Sequence, residues 1–178
     1  MKEVILLGTG PSRKECSWDA EVWTVNAGYV KVLEMGGFME KLFIAHGTWK
    51  QPPICGSLVG AIGEGISWED IAKVIDWGVQ VITLHRIKGI KSTLYPLKRI
   101  IKKLGTNYFT NTISYMIAYA IDKNYEKIRL YGIDMTTELE YKWERPCVSF
   151  WVGYAMGRGI KVNISLGSIV CKIRDGQH

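Results

Sequence analysis

Four bulky apolar residues, Val4-Ile5-Leu6-Leu7, stop abruptly at Gly8-Thr9-Gly10-Pro11-Ser12. A short apolar run without polar alternation, bounded by glycine, predicts a strand buried on both faces, as in parallel sheets. The same switch recurs down the chain. Glu21-Val22-Trp23-Thr24-Val25-Asn26 is β-branched and aromatic and ends on a polar residue, Lys41 to His46 repeats the pattern, and Gly78 to Leu84 runs into His85-Arg86. Lys127 to Tyr131 closes at Gly132-Ile133-Asp134, and Ile160 to Ile164 is a last strand. Tyr108-Phe109 reads as one more, very short.

Between these runs the apolar spacing changes to three and four. A short helix is predicted over Val30 to Met35, and another from a Ser67 cap, with Asp70 three residues later, to about Trp77. A basic helix starts at Ser92 or Thr93 and ends near Gly105. Ile113, Met116, Ile117, Ala120 and Ile121 give the clearest buried face, on a helix from Ile113 to Lys123 opened by Thr110-Asn111-Thr112. Val148 to Met156 is the last helix, ending near Gly157 or Gly159. Gly47 to Gly65 holds two prolines and three further glycines without a period, and a connection of that length reads as a lid. Trp49 and Trp68 flank it.

Strands alternating with helices predict an α/β fold: a Rossmann-like three-layer α/β/α domain over residues 1–178 with a mainly parallel sheet. Right-handed crossovers then bring every strand's C-terminal end to one edge, where ligands of open α/β sheets bind. Gly8–Ser12, Asn26, His46, His85, Thr110–Thr112 and Gly132–Asp134 all fall just past such ends. That edge is the expected site.

Composition narrows the picture. Almost half of the 178 residues are apolar, ordinary for a globular chain, and no run approaches the length of a membrane span. Four scattered cysteines predict buried, reduced thiols in a cytoplasmic protein. A net charge of +6 favours anionic ligands, but the densest cluster, Lys98, Arg99, Lys102 and Lys103, has the spacing of a solvated helix face. Nucleic acid is not expected, although no motif decides it, and a homo-oligomer stays open. Most of the seven tryptophans are expected in the core.

The candidate chemistry sits on the edge. Gly8 and Gly10 allow a tight turn and close approach of a ligand, Thr9 and Ser12 supply hydroxyls, and unpaired N–H groups there would form an anion-binding nest. His46 and His85 could act as acid and base, or each could simply bond a carbonyl. No metal site is expected: D-x-D is missing, and the three histidines and four cysteines lack zinc spacing. A nucleophile elbow is missing too.

Gly8-Thr9-Gly10-Pro11-Ser12, Asn26, Thr110-Asn111-Thr112-Ile113-Ser114-Tyr115 and Leu130-Tyr131-Gly132-Ile133-Asp134 together resemble the bacterial sialyltransferases of glycosyltransferase family 42. Those enzymes carry N-G-P-S, an Asn near the second strand, T-S-G opening a helix, and L-x-G-I-D. The opening G-x-G-P-S is also similar to the MptE-like hydroxymethylpterin diphosphokinases, and small phage proteins look like the same pattern. The resemblance implies a nucleotide or nucleotide-sugar ligand and no further cofactor. It implies Gly8, Thr9, Gly10, Pro11 and Ser12 near phosphate and ribose, and Asn26 near the transferred group. Thr110, Asn111, Thr112, Gly132, Ile133 and Asp134 would lie around the nucleoside. Where the sialyltransferases have a histidine base after G-I-D, this chain offers Glu138, Glu140, Tyr141, Lys142, Glu144 and Arg145. Glu140 or Glu144 is then the expected base, with Arg145 and Tyr141 on the departing phosphate. The function expected is a sugar-nucleotide-dependent glycosyltransferase. The alternatives are an MptE-like diphosphokinase and a non-catalytic protein that binds or sequesters a nucleotide.

Overall fold

The computed structural model describes residues 1–45, 68–86 and 89–172. His46, the Gly47–Gly65 segment with Trp49 and Cys55, the Ser67 cap and the Trp68 indole lie outside what is described. Seven strands form one sheet: β1 (Glu3–Leu7), β2 (Glu21–Val25), β3 (Lys41–Ile44), β4 (Gln80–Thr83), β5 (Thr93–Leu94), β6 (Lys127–Tyr131) and β7 (Lys161–Ile164). The order is β5-β4-β3-β2-β1-β6-β7, and every pair is parallel.

Both faces are covered, which is why the strands read as continuous apolar runs. Ile5 and Leu7 point to the layer formed by α1 (Gly28–Glu34) and α2 (Trp68–Asp76), meeting Tyr29, Val32, Ile71 and Val74. Val4 and Leu6 point the other way, into a larger cluster with α3 (Leu97–Leu104), α4 (Thr112–Asp122) and α5 (Arg145–Gly157). All four β1 side chains are fully buried, each contributing about 2 kcal/mol of hydrophobic stabilisation. This is the expected three-layer α/β/α arrangement. Trp23 and Trp151 are core, whereas Trp77 and Trp143 are exposed.

The order reverses at β1. β2 through β5 are laid down on one side of it, and β6 and β7 on the other. β1 pairs with both β2 and β6, with Leu7 opposite Tyr131. A crevice must open beyond the C-terminal ends at that junction, because the crossovers on its two sides leave in opposite directions.

Some boundaries differ from expectation. Thr93-Leu94 is an edge strand rather than the start of the basic helix, and α3 begins only at Leu97. Pro96 disfavours a helical Tyr95, whose N–H bonds the Thr83 carbonyl at 2.8 Å instead. Tyr108-Phe109 is not a strand: the Tyr108 carbonyl accepts the Trp151 indole N–H at 2.6 Å and the Cys147 thiol at 3.4 Å. On the basic helix, Lys103 reaches Asp122 at 3.3 Å beside Arg99, while Lys98 and Lys102 stay solvated. Cys16 and Cys147 are buried thiols, but Cys171 is exposed, against the expectation of uniform burial. Among the described residues no helix is long and apolar enough to cross a membrane.

Candidate functional site

A crevice of about 450 Å³ occupies the β1–β6 junction. Of the residues singled out in the sequence, Gly8, Thr9, Asn26, Thr110, Asn111, Thr112, Gly132, Ile133, Asp134, Glu140 and Glu144 line it.

The glycine loop joins the ends of β1 and β6. Gly8 donates its N–H to the Tyr131 carbonyl and Gly10 to the Gly132 carbonyl, both at 2.8 Å, so the β1–β6 ladder continues past the strand ends. A Cβ on Gly8 would lie 2.3 Å from the Gly132 oxygen, and one on Gly132 2.5 Å from the Gly8 oxygen. These glycines let two backbones touch. The Ser12 N–H goes to Asp134 at 2.9 Å and the Arg13 N–H to the Gly10 carbonyl at 3.1 Å. The N–H groups of Gly8, Gly10, Ser12 and Arg13 are thus used within the protein, which leaves Thr9, a lining residue, as the one whose N–H has no partner among the described residues.

Ser12 and Pro11 do not line the crevice, nor does Gly10, which packs against the Asp134 carboxylate. The buried Ser12 hydroxyl donates to Asp134 and accepts the Gly132 N–H at 2.9 Å and the Ser165 hydroxyl at 2.8 Å. One donor and two lone pairs are all satisfied. Ser12 thus fixes Asp134 from behind.

The anion-friendly feature is at α4. Asn111 caps it, its Oδ1 accepting the Ser114 N–H at 2.9 Å. The Thr112 and Ile113 N–H groups of the first turn have no protein partner among the described residues, and both residues line the crevice. A helix N-terminus with free N–H groups attracts negative charge. Thr112 is 5 % exposed, and its hydroxyl has no partner among the described residues. The Asn26 Oδ1 is likewise buried and unpartnered, on a residue held at φ 44°. Two orphaned polar atoms in one crevice leave hydrogen bonds for a ligand to make.

The opposite wall is a single π-helical turn, Glu140–Glu144, running into α5. Such turns concentrate at functional sites. Glu140 closes a capping box with Thr137: its carboxylate accepts the Thr137 hydroxyl at 2.8 Å and N–H at 3.1 Å, and its own N–H returns to the Thr137 hydroxyl at 3.3 Å. Glu144 has no hydrogen-bond partner for its carboxylate among the described residues. Burial pushes that carboxyl up from its ordinary value, and the like charge of Glu140 adds to the rise. With Asp134, three carboxylates line the crevice, and no Lys, Arg or His is among its described lining.

Three candidates lie elsewhere. Arg145 donates through Nε to the Ile169 carbonyl at 3.0 Å and through Nη2 to that of Lys172, and it stacks on Tyr141 at 4.7 Å. Tyr141 lines a second cavity with Thr136, Glu138 and Ile169. His85 is exposed beyond β4, three strands from β1, where strand order alone carries it away from the junction. Sequence reasoning passed over Val25, Ala45, Phe109, Ile113, Tyr115 and Met135 as lining residues. Phe109 stacks on Tyr115 at 4.4 Å and on Trp151 at 5.0 Å. Its place directly before Thr110-Asn111-Thr112 was the available signal.

No protein-family model matches the chain, and no curated protein matches it. Solved structures do. The sialyltransferase CstII from Campylobacter jejuni, in complex with cytidine-5'-monophosphate, matches with a TM-score of 0.60 at 17% identity, over 93% of this chain and 82% of that one. The same enzyme with CMP-3FNeuAc matches with a TM-score of 0.60 at 18% identity, over 93% and 80%. Thiamine pyrophosphokinase from Bacillus subtilis matches with a TM-score of 0.52 at 11% identity, over 92% of this chain and 60% of that one. At these identities the likeness is one of fold. It agrees with the two resemblances carried by the motifs.

Proposed function

We propose that this crevice binds a nucleotide-linked sugar and transfers the sugar to an acceptor hydroxyl, with Glu144 taking the acceptor's proton. The observation that carries the reading is the half-buried Glu144 carboxyl, raised by burial and by Glu140, on the wall facing the N-terminus of α4. Such a carboxylate handicaps a protein that only holds a nucleotide, because it repels the phosphate. It is an asset to one that must accept a proton near neutral pH.

In this scheme the phosphate meets the free Thr112 and Ile113 N–H groups, and the Thr112 hydroxyl gains its missing partner. Asn26 Oδ1 accepts a hydroxyl or amide of the sugar, and Asp134, held by Ser12, accepts from the nucleoside. The acceptor oxygen attacks the anomeric carbon, the bond from that carbon to the phosphate oxygen breaks, and the nucleotide departs with the electron pair. Glu144 keeps the acceptor's proton. The nucleotide is substrate, and the step needs no further cofactor. Structural likeness to a sialyltransferase described with CMP supports a cytidine donor. The three carboxylates favour a donor with one phosphate over a triphosphate, whose charge they would oppose.

Thermal shift against CMP, UDP, GDP and ATP with magnesium, followed by donor hydrolysis, tests this. A sugar-nucleotide should stabilise the protein and be slowly hydrolysed, with Glu144→Gln about 100-fold slower, the usual scale for a general base. Tight nucleotide binding with no hydrolysis of any donor would make this a sequestering protein. A shift confined to ATP with magnesium would favour the diphosphokinase.

A further inference from the structure

Asn111 uses both ends of its side-chain amide on the protein. Its Oδ1 accepts the Ser114 N–H at 2.9 Å and caps α4, while its Nδ2 donates to the Glu144 carbonyl at 3.2 Å. The neighbouring Thr110 hydroxyl donates to the Trp143 carbonyl at 3.3 Å. Two adjacent residues before α4 thus grip two adjacent carbonyls at the end of the π turn.

A cap needs only an acceptor, and serine, threonine or aspartate would serve α4 as well as asparagine. What asparagine adds is a donor pointing away from its own helix. The turn it reaches lies at the surface: none of Glu140–Glu144 is fully buried, and Trp143 is 61 % exposed, although Tyr141 stacks on Arg145 at the start of α5. The capping box with Thr137 is local to the turn and fixes its shape rather than its place. Among the described residues nothing bonds the Glu144 carboxylate, so its position follows from its backbone. That backbone is held on the α4 side by Asn111 and Thr110, and on the other by α5, whose Arg145 bonds the Ile169 and Lys172 carbonyls.

We infer that Asn111 is a positioning residue that seats the Glu144-bearing turn on the N-terminus of α4, so that the proton acceptor and the anion-binding helix end keep one fixed spacing. This rests on the reading of Glu144 as base. It also separates the tasks of Thr110-Asn111-Thr112: Asn111 holds the two walls together, and Thr112, with its unpartnered buried hydroxyl, meets the ligand. Serine stands at this place in the T-S-G segment of the sialyltransferases the chain resembles, and serine can cap but cannot make the second reach.

Asn111→Ser in the full chain tests it, since the cap survives and no charge is added. Amide hydrogen exchange, CMP titration, and kcat and KM for hydrolysis of CMP-linked sialic acid are compared with the parent and with Glu144→Gln. Exchange across 140–144 should rise about 10-fold while α4 keeps its protection, as expected when one segment opens locally. CMP affinity should stay within about 2-fold and kcat fall about 10-fold at nearly constant KM, because misplacing a reacting group by a fraction of an ångström is costly. Parent-like exchange in 140–144 would overturn the inference whatever the turnover. A rise spread equally over α4 would make Asn111 a cap alone and overturn it too. Parent-like turnover in Glu144→Gln would instead remove the base, while the exchange data still judge the brace.

Discussion

Ser12 and Asp134, 122 residues apart, are joined twice: the Ser12 N–H donates to one carboxylate oxygen at 2.9 Å and the hydroxyl to the other. The pair staples the glycine loop after β1 to the end of β6, directly behind the crevice. Its energetic weight comes from burial, since a buried polar atom that loses its partner cannot turn to water.

Ser12→Ala should therefore be among the more damaging small substitutions. It orphans the Gly132 N–H and the Ser165 hydroxyl, at about 2–4 kcal/mol for the two groups together. Urea unfolding measures this; Ser165→Ala, which removes one bond only, should cost about 1 kcal/mol. Equal midpoints for the parent and Ser12→Ala would refute the staple.

Glycine substitutions should rank by what blocks them. At Gly8 a Cβ lies 2.3 Å from the Gly132 oxygen; at Gly10 the same oxygen is 2.9 Å away and the nearest atom is Asp134 Oδ2 at 2.6 Å, so the backbone clash is the tighter one at Gly8. Gly8→Ala should lower the melting temperature more than Gly10→Ala, with overpacking costs of about 1–3 kcal/mol as the scale. Both act on the fold first. A Gly10→Ala protein as stable as its parent yet unable to bind nucleotide would return the loop to the ligand.

Turnover should lose activity in acid at a pH above the ordinary glutamate value, because the base must be ionised and burial holds Glu144 up. Glu140→Gln removes a like charge and should move that limb to lower pH. The stability sign is the reverse. A raised carboxyl favours the folded state while protonated, below its unfolded pKa, and loses that contribution as pH rises through its folded pKa. Glu144→Gln should therefore melt above the parent at pH 7, the two curves converging below about pH 4.

Arg145→Ala should act on the segment that follows β7 rather than on the ligand. It frees the Ile169 and Lys172 carbonyls and the stack on Tyr141. Faster exchange in residues 165–172 is expected, with CMP affinity within about 3-fold of the parent, as for a change that touches no ligand atom. A loss of 100-fold or more would put the guanidinium on the phosphate after all.

The sheet was legible because Val4–Leu7 and Leu42–Ile44 are apolar without alternation and bounded by turn residues, the pattern of strands covered on both sides. The edge was legible for the same reason: each run ends at a residue that cannot continue it. Contacts were not. Glycine at positions 8 and 10 announces that something comes close, and the chain alone does not say whether it is a phosphate or the Gly132 backbone. Arg145 next to three glutamates looked like a phosphate ligand, yet its partners are main-chain carbonyls at 169 and 172, which no side-chain pattern advertises. Asn111 stands where a cap belongs, and its second bond reaches a residue 33 positions on.

The reversal of strand order at β1 also bears on how the protein is made. β1 leaves the ribosome long before β6, and until β6 arrives one edge of Val4–Leu7 carries unpaired backbone N–H and C=O groups, a surface prone to pair with other chains. Closing it requires contact between residues more than a hundred positions apart, a slow kind of encounter. The same encounter creates the crevice, since Gly132, Asp134, Glu140 and Glu144 come with β6 and the turn after it. A ligand of the proposed site would thus recognise only a chain in which β6 has joined β1. Its binding would hold β6 on β1 and shield β1 from neighbouring chains.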